Sequence, residues 1–415
     1  MIDEVPLRRN TRFQLLWIGG AVSQLGTEMT RLAMPLLVLG LTGSPAAAGL
    51  VAGAAVAGRM VALVPAGVWV DRWDRRRTLV AAQAARVVCA VVLLGLVATG
   101  APPVWAPALL GSLDGVGATF TDLVRSASIR GLVPPTQLRT AYVQEEARTH
   151  AAWLAGPPIG GLLYAVAPVL PFAVDAVTFA VALVCAAAAP VPRKPAVVVV
   201  ERGTGGRSMR REAADVLRRL WRRPGLRAVY GVLAALNLLG GAFMIPLIAL
   251  VSERGGGAAA TGAVLAGAGI GGLVGSLLAG RVGGLLPVGP LMLVVVAVFG
   301  TVVAAMALPF GPWWPVVPLA VVTPASPVVN VVMNEVTARL VPEDVLGRVD
   351  AVLTPVARDT APVGPVLGGA LAAGFGAGPA LVLVGAALLV AVGLAATAAE
   401  LRRFTGADPG PVSSP

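Results

Sequence analysis

From residue 13 to residue 400 the sequence is a succession of apolar runs, interrupted by short clusters of Pro, Gly or Arg and by one longer polar stretch at about 190–226. A membrane-spanning helix needs about 20 mostly apolar residues. Runs at 13–39, 46–70, 78–99, 104–129, 140–165 and 169–189 reach that length, and so do a second set at 227–251, 258–282, 288–308, 312–336, 348–374 and 377–400. None alternates with period two, which argues against a membrane β-barrel. Only 13% of the 415 residues are charged, where a soluble domain carries roughly 25%, and the mean hydropathy is +0.83. The expected fold class is therefore an all-α polytopic membrane protein of twelve transmembrane helices, arranged as six plus six.

A duplication fixes how the two sets relate. LVPPTQLRTA, starting at Leu132, is followed by AGPPIGG, and Pro134 and Gly156 lie 22 positions apart. LVPEDVLGRVDA, starting at Leu340, is followed by VGPVLGG, and Pro342 and Gly364 are again 22 apart, each pair displaced by 208. Arg72 and Arg281 each follow the second run of their half. Because six is even, both halves enter the membrane from the same side. The repeat is parallel, with its axis along the membrane normal.

The formal net charge of +11 suggests nucleic acid until the basic residues are placed. Most fall in alternate connections: Arg8, Arg9, Arg12, the Arg72–Arg77 cluster, Arg130, Arg139, the central loop, Arg281, Arg339, Arg348, Arg402 and Arg403 on one side, against Arg254 on the other, with six more inside the runs. Positive residues stay cytoplasmic, so both termini and the central loop are expected there, and no nucleic-acid partner is needed. The expected divisions are a first half at 1–189, a linker at 190–226, a second half at 227–400 and a tail at 401–415. Within the linker, Met209, Ala213, Val216, Leu217, Leu220 and Trp221 recur with helical spacing opposite arginines, which predicts an amphipathic helix on the lipid surface. The short basic stretch from Met1 to Arg12 does not look like a cleaved leader. A single lysine, Lys194, against abundant Arg, Ala, Val and Gly suggests a GC-rich bacterial genome, hence a bacterial cytoplasmic membrane.

Two motifs make a family resemblance specific. GVWVDRWDRRR, spanning Gly67, Asp71, Arg72, Arg75, Arg76 and Arg77, is similar to the G-x-x-x-D-R-x-G-R-[RK] signature of the major facilitator superfamily and lies between the second and third runs; Asp74 stands where the signature has its second Gly. AAWLAGPPIGG, with Gly156, Pro157, Gly160 and Gly161, resembles the g-x-x-x-G-P-x-x-G-G motif of that superfamily's drug:proton antiporters, and Gly364, Pro365, Gly368 and Gly369 form its repeat copy. The DRWDRR form resembles the branch of bacterial drug, macrolide and siderophore exporters. This resemblance implies proton-coupled export of amphipathic compounds by alternating access. At Asp71 a carboxylate can face a helix N-terminus, and the neighbouring arginines can pair with acids of the other half as a cytoplasmic gate. Glycines let helices approach closely; Gly267, Gly271 and Gly275 offer the matching face for the fifth helix on the eighth. Close packing alone, with no influence on transport direction, is the competing reading of these glycines.

Ionisable groups inside a membrane cost about 2.5–3.5 kcal/mol each on insertion scales and normally face a cavity or a partner. On the first helix Gln24, Glu28 and Arg31 fall within about 60° of one another at 100° per residue. The fourth carries Asp114, Asp122 and Arg125, the seventh Asn237, and the tenth Asn330 and Asn334. In the family these four helices line the central cavity. Glu28 leads as the proton carrier, ahead of Asp114 and Asp122; the alternative is permanent pairing, Glu28 with Arg31 and Asp122 with Arg125. Glu145 and Glu146 are placed to pair with Arg125 or Arg139, and Asp175 to make a helix-packing hydrogen bond.

Several chemistries are excluded. Cys89 and Cys185 lie in apolar runs and His150 is the single histidine, so no metal centre or disulfide framework is expected. No phosphate-binding G-x-x-x-x-G-K-[ST] loop occurs, and no nucleophile has a supporting base, so an enzyme is not expected. The proton gradient stands in place of a cofactor. The expected partners are a small amphipathic substrate and membrane lipid, with the chain acting as a monomer. An importer or uniporter of the same fold, and a non-transporting receptor or assembly partner, are the alternatives to export.

Overall fold

The computed structural model describes residues 6–100, 102–189, 224–282, 287–325, 328–329, 362–398 and 401–402. The expected linker helix, Asn330, Asn334 and most of the tail lie outside the described residues. Those described form helices, with no strand among them. The first half contains α1 (Thr11–Thr42), α2 (Pro45–Arg72), α3 (Arg75–Ala98), α4 (Trp105–Leu132), α5 (Leu138–Val166) and α6 (Leu170–Ala188). After the linker come α7 (Pro224–Ala242), α8 (Met244–Glu253), α9 (Ala258–Val282), α10 (Val288–Ala305), α11 (Val316–Val322), α12 (Val363–Phe375) and α13 (Ala377–Thr397). The run expected as one helix at 227–251 is thus α7 and α8, parted at Phe243. Among the described residues six spans are long and apolar enough to cross a membrane, among them Arg75–Ala98, Leu170–Ala188, Arg227–Glu253 and Ala377–Thr397. The protein is a multi-pass membrane protein.

Local chemistry sets the helix ends. Asn10 caps α1, its side-chain oxygen accepting from the Phe13 N–H at 3.2 Å, and Gly43 ends the same helix at φ 62°, where a side chain would be strained. Ser44 then caps α2 by accepting from the Ala47 N–H at 3.3 Å, with Pro45 in the first turn, where its missing N–H costs nothing. Prolines 157 and 158 sit inside α5 without breaking it.

The described residues divide into two compact units: those within Met1–Val200 together with Val251–Ala266, and those within Glu201–Leu250 together with Gly267–Pro415. In the first, α2 packs on α4, α4 on α3, α3 on α6, α6 on α1 and α1 on α5. In the second, α10 packs on α13, and α7 on both α12 and α13. These pairings correspond to α3 with α6, α1 with α5 and α1 with α6, so the duplication read from the sequence is a duplication of packing. At the end of the first unit that holds the N-terminus, Phe13, Leu16, Val70, Leu79, Val124, Ile129 and Leu132 form an apolar core that ties α1, α2, α3 and α4 together.

Candidate functional site

The glycine motif occupies the contact between α5 and α1. A Cβ at Gly156 would fall on the Cβ of Glu28, and one at Gly160 would lie 2.8 Å from the Met29 carbonyl oxygen. The second copy does the same in its own unit: a Cβ at Gly364 would lie 2.8 Å from the Leu238 oxygen and 2.9 Å from the Gly241 Cα, and one at Gly368 would strike the Ala242 carbonyl. Gly369 is buried, and Pro365 stands in the first turn of α12. Gly161 is used differently, its Cβ position lying 2.9 Å from the Cα of Gly262 on α9. The fifth helix does meet the segment at 258–282, but through Gly262. Gly267, Gly271 and Gly275, expected at that contact, instead face Val316, Ala320, Thr323 and Pro324 within the second unit.

Glu28 lies under this contact and is buried. Gln24 donates to one carboxylate oxygen at 3.1 Å, and the exposed Arg31 reaches the other at 3.4 Å. The three residues grouped from helical spacing are therefore one cluster, and the Glu28–Arg31 pair exists.

A second cluster was only partly visible in the sequence. Arg86 of α3 is buried at the meeting of four helices. Its Nε donates to Asp114 Oδ1 at 2.8 Å, Nη1 to Ser23 Oγ at 3.1 Å and Nη2 to Thr27 Oγ1 at 2.9 Å. The guanidinium carbon also lies 4.0 Å from the centre of the Phe179 ring, close enough for a cation–π contact. One turn away, Asp175 of α6 accepts from the Thr30 hydroxyl at 2.8 Å and from Thr178. This is the helix-packing bond expected for it, and Gly26 makes it possible, since any side chain there would occupy the space of Thr178 and Asp175. Arg86 was missed, although a lone charge in an apolar run is a signal in itself.

A third group forms a ladder across α2, α4 and α5. Arg59 reaches Asp122 at 2.8 Å, Asp122 pairs with Arg125 at 3.0 Å, Arg125 approaches Glu145 at 3.5 Å, and Glu145 accepts from Arg148 at 2.8 Å. The expected Asp122–Arg125 and Glu145–Arg125 pairs are present, while Arg59 and Arg148 are additions. Glu146 contacts His150 at 3.2 Å, and Asn237 donates to the Leu233 carbonyl at 3.0 Å. Between the second and third groups is a cavity of about 30 Å³, lined in part by Gly19, Gly20, Ser23, Gln83, Arg86 and Arg125.

The loop motif is engaged inside the first unit. Asp74, the departure from the signature, caps α3 by accepting from the Arg77 N–H at 2.9 Å. Arg75 donates to the Ala127 carbonyl at 3.2 Å and Arg76 to the Ala187 carbonyl at 2.5 Å, at the ends of α4 and α6, where cations are favoured. Arg72 and Arg77 are exposed, and a Cβ at Gly67 would meet nothing within 4 Å. The aromatic Trp69 stacks on Trp73 and Phe120. Among the described residues no group of three or more His, Cys, Asp or Glu side chains is gathered for a metal.

In fold the chain is similar to the nucleoside transporter NupG, at 11% identity and a TM-score of 0.73 over 95% of this chain and 99% of that one. A bacterial homologue of the iron transporter ferroportin, in an inward-facing state, gives 17% identity and 0.71 over 96% and 100%. For a D-xylose–proton symporter the values are 15% and 0.69 over 93% and 96%. No curated protein matches the sequence. The profile of the Major Facilitator Superfamily matches residues 16–361, and the chain belongs to that superfamily.

Proposed function

We propose that the chain is a secondary active transporter of the bacterial cytoplasmic membrane, exporting an amphipathic small molecule by alternating access in exchange for inward-moving protons. It acts as a monomer in lipid, without cofactor or nucleic-acid partner. The observation that carries this reading is the seat of Glu28: a buried carboxylate held by Gln24 and Arg31, directly beneath Gly156 of the antiporter-type motif. A coupling carboxylate must be dry in one state and hydrated or paired in the other. Glu28 fits that need: it is buried under Gly156, while the side chain of its partner Arg31 is exposed. The motifs at Gly67–Arg77 and Gly156–Gly161 support export over import by resemblance.

Superfamily folds also serve uptake, as the D-xylose–proton symporter illustrates, so direction is tested directly. Inverted vesicles carrying the protein should accumulate a fluorescent amphipathic dye on energisation and lose it on addition of a protonophore. Glu28→Gln should abolish the response to a pH gradient while substrate exchange persists. Dye uptake indifferent to the protonophore would overturn coupling. Absence of both movement and binding across a broad compound panel would favour a receptor.

A further inference from the structure

Three hydroxyls on one side of α1 are each held by a buried ionisable side chain of another helix. Arg86 of α3 donates Nη1 to Ser23 at 3.1 Å and Nη2 to Thr27 at 2.9 Å, while Asp114 of α4 fixes its Nε at 2.8 Å. One turn further along, the Thr30 hydroxyl donates to Asp175 of α6 at 2.8 Å. At 100° per residue Ser23, Thr27 and Thr30 lie within about 60° of one another, and Glu28 stands about 130° round from the middle of that stripe. Arg86 and Asp175 are both 5% exposed, so bulk water does not compete for these bonds.

The rotation of α1 needs such a fixing. From Leu32 to Val38 every residue is buried, and a helix that is apolar all round does not choose one setting by burial. Toward α5 it meets Gly156 and Gly160, which present no side chain to interlock with. Hydrogen bonds are directional, and the best-attested use of buried polar groups is to select one register among several. What the setting decides changes from residue to residue. Between Gly19 and Val38, Arg31 is the single exposed residue of α1, its neighbour Leu32 is 2% exposed, and Glu28 is buried beneath Gly156. We infer that Arg86 and Asp175 are positioning residues for the Glu28 site: by gripping Ser23, Thr27 and Thr30 they hold α1 at the rotation that keeps Glu28 dry and Arg31 in the open. Their part in transport rests on the reading of Glu28 as the coupling carboxylate; the rotation they set does not.

The test places a single cysteine at one of two neighbouring positions, Arg31→Cys or Leu32→Cys, in the full chain carrying Cys89→Ala and Cys185→Ala and held in lipid nanodiscs. A charged, water-soluble maleimide should label the Arg31→Cys protein about tenfold or more faster than the Leu32→Cys protein, since attack needs access. Adding Ser23→Ala with Thr27→Val removes both acceptors of Arg86. It should slow the first rate and speed the second until they differ by less than about threefold. Thr27→Ser alone keeps the hydroxyl and should keep the contrast. Arg86→Lys cannot span Asp114, Ser23 and Thr27 together, so it should act like the double change and serves if that protein does not fold. In vesicles, the variants that lose the contrast should also lose the response of dye movement to a pH gradient, and Thr27→Ser should retain it. No contrast in the parent chain, or a contrast that survives in either folded variant, would overturn the clamp. So would equal acceleration at both positions, which would mark loosening without rotation. If Glu28→Gln leaves the pH response intact while labelling behaves as expected, the coupling role of Glu28 fails and the clamp stands.

Discussion

Arg86 offers a direct test of whether the first unit is organised around buried charge. Its side chain is 6% exposed and that of Asp114 27%, so the 2.8 Å pair is shielded from screening. In Arg86→Met the apolar stem is replaced at similar length, but Asp114 loses its cation and the Ser23 and Thr27 hydroxyls lose a donor. Removing one partner of a buried pair costs about 3–5 kcal/mol, because the other charge is left uncompensated. The cation–π contact with Phe179 is contained in that range and is not added to it, since contacts sharing one group are not additive. Asp114→Asn should cost a comparable amount. Arg86→Met combined with Asp114→Asn removes both charges, so its cost should fall short of the sum by about 2–3 kcal/mol. Equilibrium unfolding in mixed micelles with a rising fraction of denaturing detergent, followed by tryptophan fluorescence, measures all three. An Arg86→Met cost below about 1 kcal/mol, or a double variant additive to within about 0.5 kcal/mol, would refute the reasoning.

The glycine copies make a paired prediction. Gly160→Ala and Gly368→Ala each drive a methyl into backbone that cannot rotate away, so each should lose about 1–3 kcal/mol in the same unfolding assay. Gly67→Ala, with open space around it, should be neutral or more stable by up to about 1 kcal/mol through helix propensity. Asp74→Ala deletes the α3 cap and should cost about 0.5–2 kcal/mol, while Asp74→Asn keeps most of the stability; equal losses in the two would remove the capping account. Thr30→Val strips Asp175 of its 2.8 Å donor and should cost about 1–3 kcal/mol, partly recovered when Asp175→Asn is added.

The sequence carried the fold well because hydropathy and the 208-residue offset depend on many residues at once. It carried the pairs on single helices too, since Glu28 with Arg31 and Asp122 with Arg125 are set by helical spacing alone. Pairs between helices were harder. Arg86 meets Asp114 from a different helix, and Arg59 meets Asp122 across 63 positions, separations no local period encodes. The glycines show the same limit. Small faces on two helices predict close approach but not the partner, so Gly267, Gly271 and Gly275 fitted the fifth helix on paper and face Val316, Ala320, Thr323 and Pro324 in the fold.

The loop motif is where sequence and structure together change an interpretation. Read alone, the arginines after Asp71 invite partners in the opposite half, and a gate made that way would depend on them equally. In the fold two of the four are committed elsewhere: Arg75 and Arg76 hold the ends of α4 and α6, while Asp74 caps the helix that presents them. These bonds stay within one unit and do not have to break when halves move apart. Arg72 and Arg77, exposed, are the arginines left for any contact that opens and closes. The two classes should separate in kinetics. Arg75→Ala and Arg76→Ala should lower stability with transport per folded molecule retained, whereas Arg72→Ala and Arg77→Ala should leave stability intact and slow turnover. If all four slowed turnover equally at unchanged stability, the division of labour argued from the carbonyl contacts would fail.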